Sequence, residues 1–355
     1  MTDPRMPLPG QEIESSIIPR EEEVSIPEKS HYHLTATIPV PDTITPTSVF
    51  SVTARGRIAS IDTYASSAYR LYSYALKADK TGFEGKEVAK GQYGKDTFEL
   101  LEDGSMLSAS GTPRGQEINR FVPQPDGSFK TQFIGLYETP PPRTTSIPDR
   151  PLFVRRYGEG IIVVAGREGL NFFSQRADGT FERSIHSMRD LTAREFRNID
   201  KIDILSDGRF VINEHFKISV LDIRPDGKTV TYAVETFNNQ GVRKFVPTPD
   251  GSFYVVNGTG EVNKYVPKGD GHFSKVKVKV LAEDLQLLGG DKVFLRMRIG
   301  GTLQGGVFTI HEDGSVIPDS DTQFESKNGT VSSNGRIINV AKPGKLQIID
   351  GDFDK

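Results

Sequence analysis

From residue 55 to its end, the chain is punctuated by Asp-Gly and related Gly dipeptides set between short runs of alternating apolar residues. Glycine supplies the positive φ that tight turns demand, and an aspartate beside it can bond the backbone two residues on. Alternation with period two places apolar side chains on one face of a strand. Together these signals specify β-hairpins. Composition agrees: 35 Gly and 22 Pro with 35% apolar residues favour many short strands over long helices.

The turns fall into two interleaved series. The first is Arg55-Gly56, Asp103-Gly104, Glu159-Gly160, Asp207-Gly208, Asp250-Gly251, Gly300-Gly301 and Asn334-Gly335. The second is Thr81-Gly82, Asp126-Gly127, Asp178-Gly179, Asp226-Gly227, Asp270-Gly271, Asp313-Gly314 and Asp350-Gly351. Members of the first series recur every 34–56 residues, and each second-series mate follows 13–26 residues later, which leaves room for two strands between them. In the unit 244–281, strands are expected at Lys244–Val246, Ser252–Asn257, Glu261–Val266 and His272–Leu281, the last with Val276, Val278 and Val280 alternating. The same grammar fits 96–136, 152–188 and 198–237, and in shortened form 293–318, where Val293 opens the inner strand.

Four antiparallel strands per unit, repeated seven times, predict an all-β fold: a seven-bladed β-propeller spanning residues 31–355. The last unit lacks its fourth strand, while residues 31–41 alternate Leu34, Ala36, Ile38 and Val40 on one face without a partner in the first unit. The expectation is that Leu34–Ile38 pairs with Leu346–Ile349, closing the ring and removing two open sheet edges. With its Asp-Gly turns the chain resembles β-propellers of the broad kind that includes gluconolactonase-like proteins. It has no Trp, so neither a WD-repeat signature nor a sialidase-type Asp box is present.

Residues 1–30 form a distinct arm. Seven acids stand against three bases, a net charge of −4, and eight prolines but one glycine precede residue 47. Such a segment does not repay its ordering entropy alone and is expected to be extended. Its apolar islands, Ile17-Ile18 and Val24-Ser25-Ile26, fit a linear docking motif.

The chemistry open to the chain is narrow. It has no Cys, which removes thiol catalysis and thiolate metal sites. Net charge is −3, giving no global basic surface for nucleic acid, and no run of about 20 apolar residues predicts membrane insertion. The N-terminus has neither a cationic start nor an apolar run, so the protein is expected to be cytoplasmic or exported without a Sec signal. Inner strands carry Glu99, Arg155, Asp203, Arg296, Arg298 and Glu325, expected to line a central channel. A divalent metal there would draw on Glu99, Asp203, Asn257 and Glu325, but the interspersed arginines oppose a cation; no metal and no cofactor is expected. Of the six histidines (His31, His33, His186, His215, His272, His311), His31 and His33 share a face without a carboxylate at metal-ligand spacing, His215 is expected on a surface loop, and His272 and His311 at the outer rim.

The connections Glu84–Lys95, Tyr137–Pro151 and Ser187–Asn198 are expected as long loops on one face. They gather Tyr137, Arg143, Arg150, Arg189, Arg194, Phe196 and Arg197, residue types favoured at protein-binding surfaces. The expected function is therefore a non-enzymatic scaffold whose loop face and arm, with Ile17, Ile18 and Ile26, dock other proteins: an adaptor, an exported effector or a component of a viral or secretion particle. The alternative is a metal-dependent hydrolase or lactonase of gluconolactonase-like type using the channel.

Overall fold

The computed structural model describes residues 29–39, 49–52, 58–65, 68–76, 83–92, 97–112, 115–137, 151–157, 160–166, 169–183, 199–214, 216–223, 229–236, 241–269, 271–319, 324–326, 328–331, 337–342 and 345–353. Every regular element among them is a strand. The strands form separate antiparallel sheets, each built by consecutive hairpins. The first sheet is Val49–Val52, Ile58–Ala65, Ala68–Leu76 and Phe83–Gln92. The second is Thr97–Leu100, Met106–Thr112, Gly115–Pro123 and Phe129–Tyr137. The third is Pro151–Arg156, Ile161–Gly166, Gly169–Gln175 and Phe181–Arg183. The fourth is Ile199–Ile204, Phe210–Glu214, Lys217–Ile223 and Thr229–Thr236. The fifth is Val242–Pro247, Phe253–Asn257, Glu261–Lys268 and His272–Leu281. The sixth is Asp284–Gly289, Lys292–Ile299, Thr302–Ile310 and Val316–Pro318, with Phe324–Glu325 added beside its third strand. The terminal sheet joins Asn328–Val331, Ile337–Lys342 and Lys345–Phe353 to the N-terminal strand Lys29–Pro39. In it Leu34 lies opposite Ile349 and Ile38 opposite Leu346.

The Asp-Gly repeat acts through one local device. In the second sheet, Leu101 and Ser105 close the first turn, with Leu101 N–H donating to Ser105 O at 2.8 Å and Gly104 at φ 80°. Asp103 Oδ1 accepts from both the N–H and the hydroxyl of Ser105, at 2.8 and 2.6 Å. Asp178 with Thr180, Asp250 with Ser252 and Asp313 with Ser315 repeat this pairing. The carboxylate thus satisfies donors that a tight turn leaves without a ladder partner.

Apolar side chains pack between successive sheets. Phe153, Val163 and Leu170 of the third sheet meet Ile199, Phe210 and Ile212 of the fourth. Val246, Tyr254 and Val256 of the fifth meet Leu285, Val293 and Leu295 of the sixth. The first strands of successive sheets lie side by side, and that of the terminal sheet lies beside that of the first. Sheets packed face to face around their first strands make the architecture a β-propeller.

Three expectations are corrected. The inner strand of the sixth sheet is Asp284–Gly289, turning through Gly289-Gly290 into Lys292–Ile299. Gly300-Gly301 therefore joins the second and third strands, not the first and second. Asp350-Gly351 is not a turn: both residues continue the strand Lys345–Phe353, opposite His33 and Tyr32. Most of the supposed loop Glu84–Lys95 is the outer strand Phe83–Gln92.

Candidate functional site

The first strands bring charged side chains of alternating sign to consecutive sheets. Glu99 of the second sheet lies 4.0 Å from Arg155 Nε of the third, and its Oε2 accepts the Arg156 N–H at 2.7 Å. Arg155 Nη1 also donates to Val154 O at 2.8 Å. Asp203 of the fourth sheet feels both Arg155 and Lys244, and its Oδ1 accepts the Ile204 N–H at 2.9 Å. Lys244 of the fifth sheet donates to Asp284 of the sixth at 2.7 Å. Gln286 carries the chain onward: Nε2 donates to Asp284 Oδ2 and to Gly329 O, both at 2.9 Å, while Oε1 accepts the Val331 N–H at 2.8 Å.

Burial pushes the Glu99 carboxyl above its ordinary pKa, against the opposing pull of Arg155 and the Arg156 N–H. Asp203 is raised for the same reason, against Arg155, the Ile204 N–H and Lys244. Perturbed carboxyls mark catalytic sites and structural ion networks alike. Here each carboxylate is flanked by a cation from a neighbouring sheet, and the row holds three carboxylates and two cations, Glu99, Arg155, Asp203, Lys244 and Asp284, in alternation.

Of the residues predicted to line the channel, Glu99, Arg155 and Asp203 lie on first strands. Arg296 and Arg298 do not: they belong to the second strand of the sixth sheet. Arg298 approaches Glu283 at 3.8 Å at the far end of that strand. Glu325 sits on the short added strand, opposite Gln304, and its side chain lies outside the described residues. Asn257, a metal candidate by position, ends a second strand, where its Oδ1 accepts from Thr259 N–H, Thr259 Oγ1 and Glu261 N–H at 2.8–3.0 Å. Among the described residues no group of three or more His, Cys, Asp or Glu is placed to hold a metal ion. Lys244, Asp284 and Gln286 were not anticipated.

The opposite ends of the strands define two faces. One carries the turns between first and second strands and between third and fourth; the other carries the links between sheets and the turns between second and third strands. On this connection face Glu283 accepts a hydrogen bond from Arg243 and also faces Arg298, and Arg243 Nη2 donates to Gly258 O at 2.9 Å. The same face carries Leu281, Ile299 and Phe216, 63%, 44% and 42% exposed. Tyr137, expected as a surface anchor here, is 5% exposed and packs with Ile134, Val154 and Phe173 between the second and third sheets. Arg143, Arg150, Arg189, Arg194, Phe196, Arg197, Ile17, Ile18, Ile26 and His215 lie outside the described residues.

This geometry is that of a β-propeller whose inner strands are tied by ion pairs. No protein-family model and no curated protein matches the chain. Solved structures do. A streptogramin B lyase aligns over 90% of this chain and 98% of its own, at 16% identity and a TM-score of 0.59. YCF48 bound to a D1 peptide covers 92% and 98%, at 13% identity and a TM-score of 0.57. The WD40 propeller domain of Doa1 covers 90% and 97%, at 15% identity and a TM-score of 0.55. At such identities the likeness is one of fold, and these neighbours include a lyase, a propeller bound to a peptide and a WD40 domain.

Proposed function

We propose that the sheets are the seven blades of one ring, closed by the N-terminal strand Lys29–Pro39, and that the ring is a non-catalytic scaffold docking partner proteins on its connection face. The observation that carries this reading is the contrast between the channel and that face. Channel charges from five consecutive sheets are turned toward one another, whereas Phe216, Leu281 and Ile299 hold apolar surface toward solvent on the face that carries an arginine–glutamate cluster. Exposed apolar side chains with arginine nearby are what protein interfaces use. Ring closure is supported by the side-by-side first strands and by the pairing of Lys29–Pro39 with Lys345–Phe353. The arm preceding Lys29 adds an acidic, proline-rich segment of the kind that docks in extended form.

The test is cross-linking of the full chain to its partners, comparing wild type with a Leu281→Asp, Ile299→Asp double variant of unchanged thermal midpoint. Loss of the wild-type partner set is expected; the same partners cross-linked to the variant would overturn the reading. A metal-dependent hydrolase in the channel fits the residues poorly, because Arg155 and Lys244 flank the very carboxylates a divalent ion needs. Chelation is accordingly expected to leave the unfolding midpoint unchanged. A saturable rise with one divalent ion, by about 2.7 kcal/mol at a hundredfold excess over its dissociation constant, would restore the hydrolase.

A further inference from the structure

At four junctions, among the described residues, the turn between third and fourth strands ties its sheet to the sheet before it. Lys86, on the outer strand of the first sheet, donates through Nζ to Gly127 O in such a turn of the second, at 3.0 Å. Gln132 of the second sheet donates through Nε2 to Gly179 O of the third at 2.5 Å. Gly271 of the fifth sheet lies against Tyr232 of the fourth, whose ring a Cβ there would meet at 2.1 Å. Gly314 O of the sixth accepts the Lys279 N–H of the fifth at 2.8 Å. Gly127, Gly179 and Gly314 stand two residues, and Gly271 one, before the first residue of their own outer strands. On the receiving strand the contact falls on the fourth residue in the first, second and fourth sheets.

The terminal sheet lacks this turn. Its third strand runs straight through Asp350-Gly351 to Phe353 and its fourth is the N-terminal strand, so the two end together at the pair Lys29–Phe353 with no loop between them. Third strands run toward the turn face, which places Lys29, and the departure of the acidic arm, at that face. The position that Gly127, Gly179 and Gly314 hold relative to their outer strands falls here on Pro27, next to Ile26. The strand that would receive such a turn is Val316–Pro318 of the sixth sheet. Ile317 lies opposite Thr309, and Val307, two residues before Thr309, packs with Ile337 and Ile349 of the terminal sheet. Alternation therefore puts Thr309 and Ile317 on the side that faces the terminal sheet. Ile317 is 55% exposed there.

We propose that residues 24–27 of the arm take the place of the missing turn, with Ile26 covering Ile317 at the seam between the sixth and terminal sheets. Pro27 holds the residue before it in an extended backbone, and three residues reach at most about 10 Å from Lys29, which confines Ile26 to this seam. The contact is apolar and owes nothing to charge, since Glu28 and Asp319 are both acidic. It orders only the few residues next to Lys29, so it adds little to the global unfolding midpoint. It rests on the pairing of the chain ends and not on the scaffold reading.

The full chain has no Cys, so an introduced pair is unique. The double variant Ile26→Cys, Ile317→Cys is compared with Ser25→Cys, Ile317→Cys. Their tethers differ by one residue, and only a fixed register makes one pair meet disulfide geometry and the other miss it. Under mild oxidation the Ile26 pair should lose its free thiols within the monomer at least tenfold faster than the Ser25 pair. In the chain without introduced cysteines, Ile26→Asp should shift the amide resonances of Ile317 and Thr309 and leave that of Phe133 in place. Equal oxidation rates, a disulfide-linked dimer of the Ile26 pair forming faster than the bond within one chain, or unmoved Ile317 and Thr309 amides would each overturn the proposal.

Discussion

Lys244 and Asp284, forty residues apart and on the first strands of neighbouring sheets, are joined by a hydrogen-bonded ion pair of 2.7 Å. Asp284 also accepts from the Leu285 N–H and from Gln286 Nε2, each at 2.9 Å, so one carboxylate gathers donors from two sheets. Its side chain is largely covered, while Lys244 is half-exposed. Removing the acceptor takes a partner from three donors, of which Gln286 Nε2 keeps Gly329 O; removing the lysine leaves the carboxylate two partners. Asp284→Ala should therefore cost about 2 kcal/mol and Lys244→Met about 1. A double-mutant cycle by urea unfolding should give a coupling of at least about 0.5 kcal/mol, and strict additivity would show that the pair does not tie the sheets.

Glu99 and Asp203 should make the stability of the fold depend on pH. Burial raises both carboxyls, outweighing Arg155. A carboxyl with a raised folded pKa binds its proton better when folded, so its contribution is full below the unfolded pKa and is lost as pH rises through the folded one. Glu99→Gln and Asp203→Asn remove that loss. The midpoint of each variant relative to wild type should therefore improve from about pH 4 to about pH 7. A difference independent of pH would contradict it.

The turn aspartates act with opposite sign. Hydrogen bonds from Ser315 hold Asp313 down at about 2, and Asp250, although burial pushes it up, is lowered by donors from Ser252 and Thr248. Their contribution is present above the unfolded pKa and is lost as pH falls through the folded value. Asp250→Ala removes an acceptor shared by the Ser252 N–H, Ser252 Oγ and Thr248 Oγ1, and should cost about 1–2 kcal/mol at neutral pH. That cost should shrink under acid, as read from unfolding midpoints across the range; a constant cost would mean the turn does not use the ionised form.

Much of this was written in the local sequence. The outer strand His272–Leu281 has the bounds expected from Val276, Val278 and Val280, because alternation and flanking turns agree there. Glu99, Arg155 and Asp203 each stand two residues before the residue that opens a turn, Leu101, Tyr157 and Leu205, so turn position sets which side of the inner strand they occupy. Asp284–Gly289 was hidden because only Ala282 and Glu283 separate it from the preceding strand, and its turn reads Gly-Gly-Asp rather than Asp-Gly. Tyr137 looked like a loop anchor because a Pro-rich stretch follows it, yet it takes the buried side of its strand while Leu136 takes the exposed one. The Lys244–Asp284 pair was illegible for a different reason: which charges meet across sheets is set by packing, not by spacing along one strand.

Two turn glycines separate backbone conformation from contact between sheets. Gly127 and Gly314 have nearly equal φ, +74° and +78°. A Cβ on Gly127 would meet nothing within 4 Å, whereas one on Gly314 would stand 2.2 Å from Lys277 O on the adjacent sheet. Gly314 O also accepts the Lys279 N–H at 2.8 Å. Gly127→Ala should cost about 1–2 kcal/mol for the left-handed backbone alone. Gly314→Ala should cost at least about 1 kcal/mol more, since the fifth and sixth sheets must move apart. Equal costs by chemical unfolding would remove the intersheet contact from the account.

The last prediction concerns the ends of the chain. Lys29–Pro39 runs antiparallel to Lys345–Phe353 through pairs from Lys29 with Phe353 to Pro39 with Lys345, with shifts of register along the way. Pro39 falls on the final pair, at the strand's end, where a missing N–H interrupts least of the ladder. Without this strand the terminal sheet would end in Lys345–Phe353, an open edge with unpaired backbone donors and acceptors. Deleting residues 1–28 leaves that ladder whole and should preserve the unfolding midpoint. Deleting residues 1–41 should replace one cooperative transition by a broadened, lower one and favour association through the freed edge. A residue 31–41 peptide added in excess should raise the midpoint again by mass action, because it binds only the folded sheet. A deletion variant that unfolds cooperatively at the wild-type midpoint would show that the fold does not depend on its N-terminal strand.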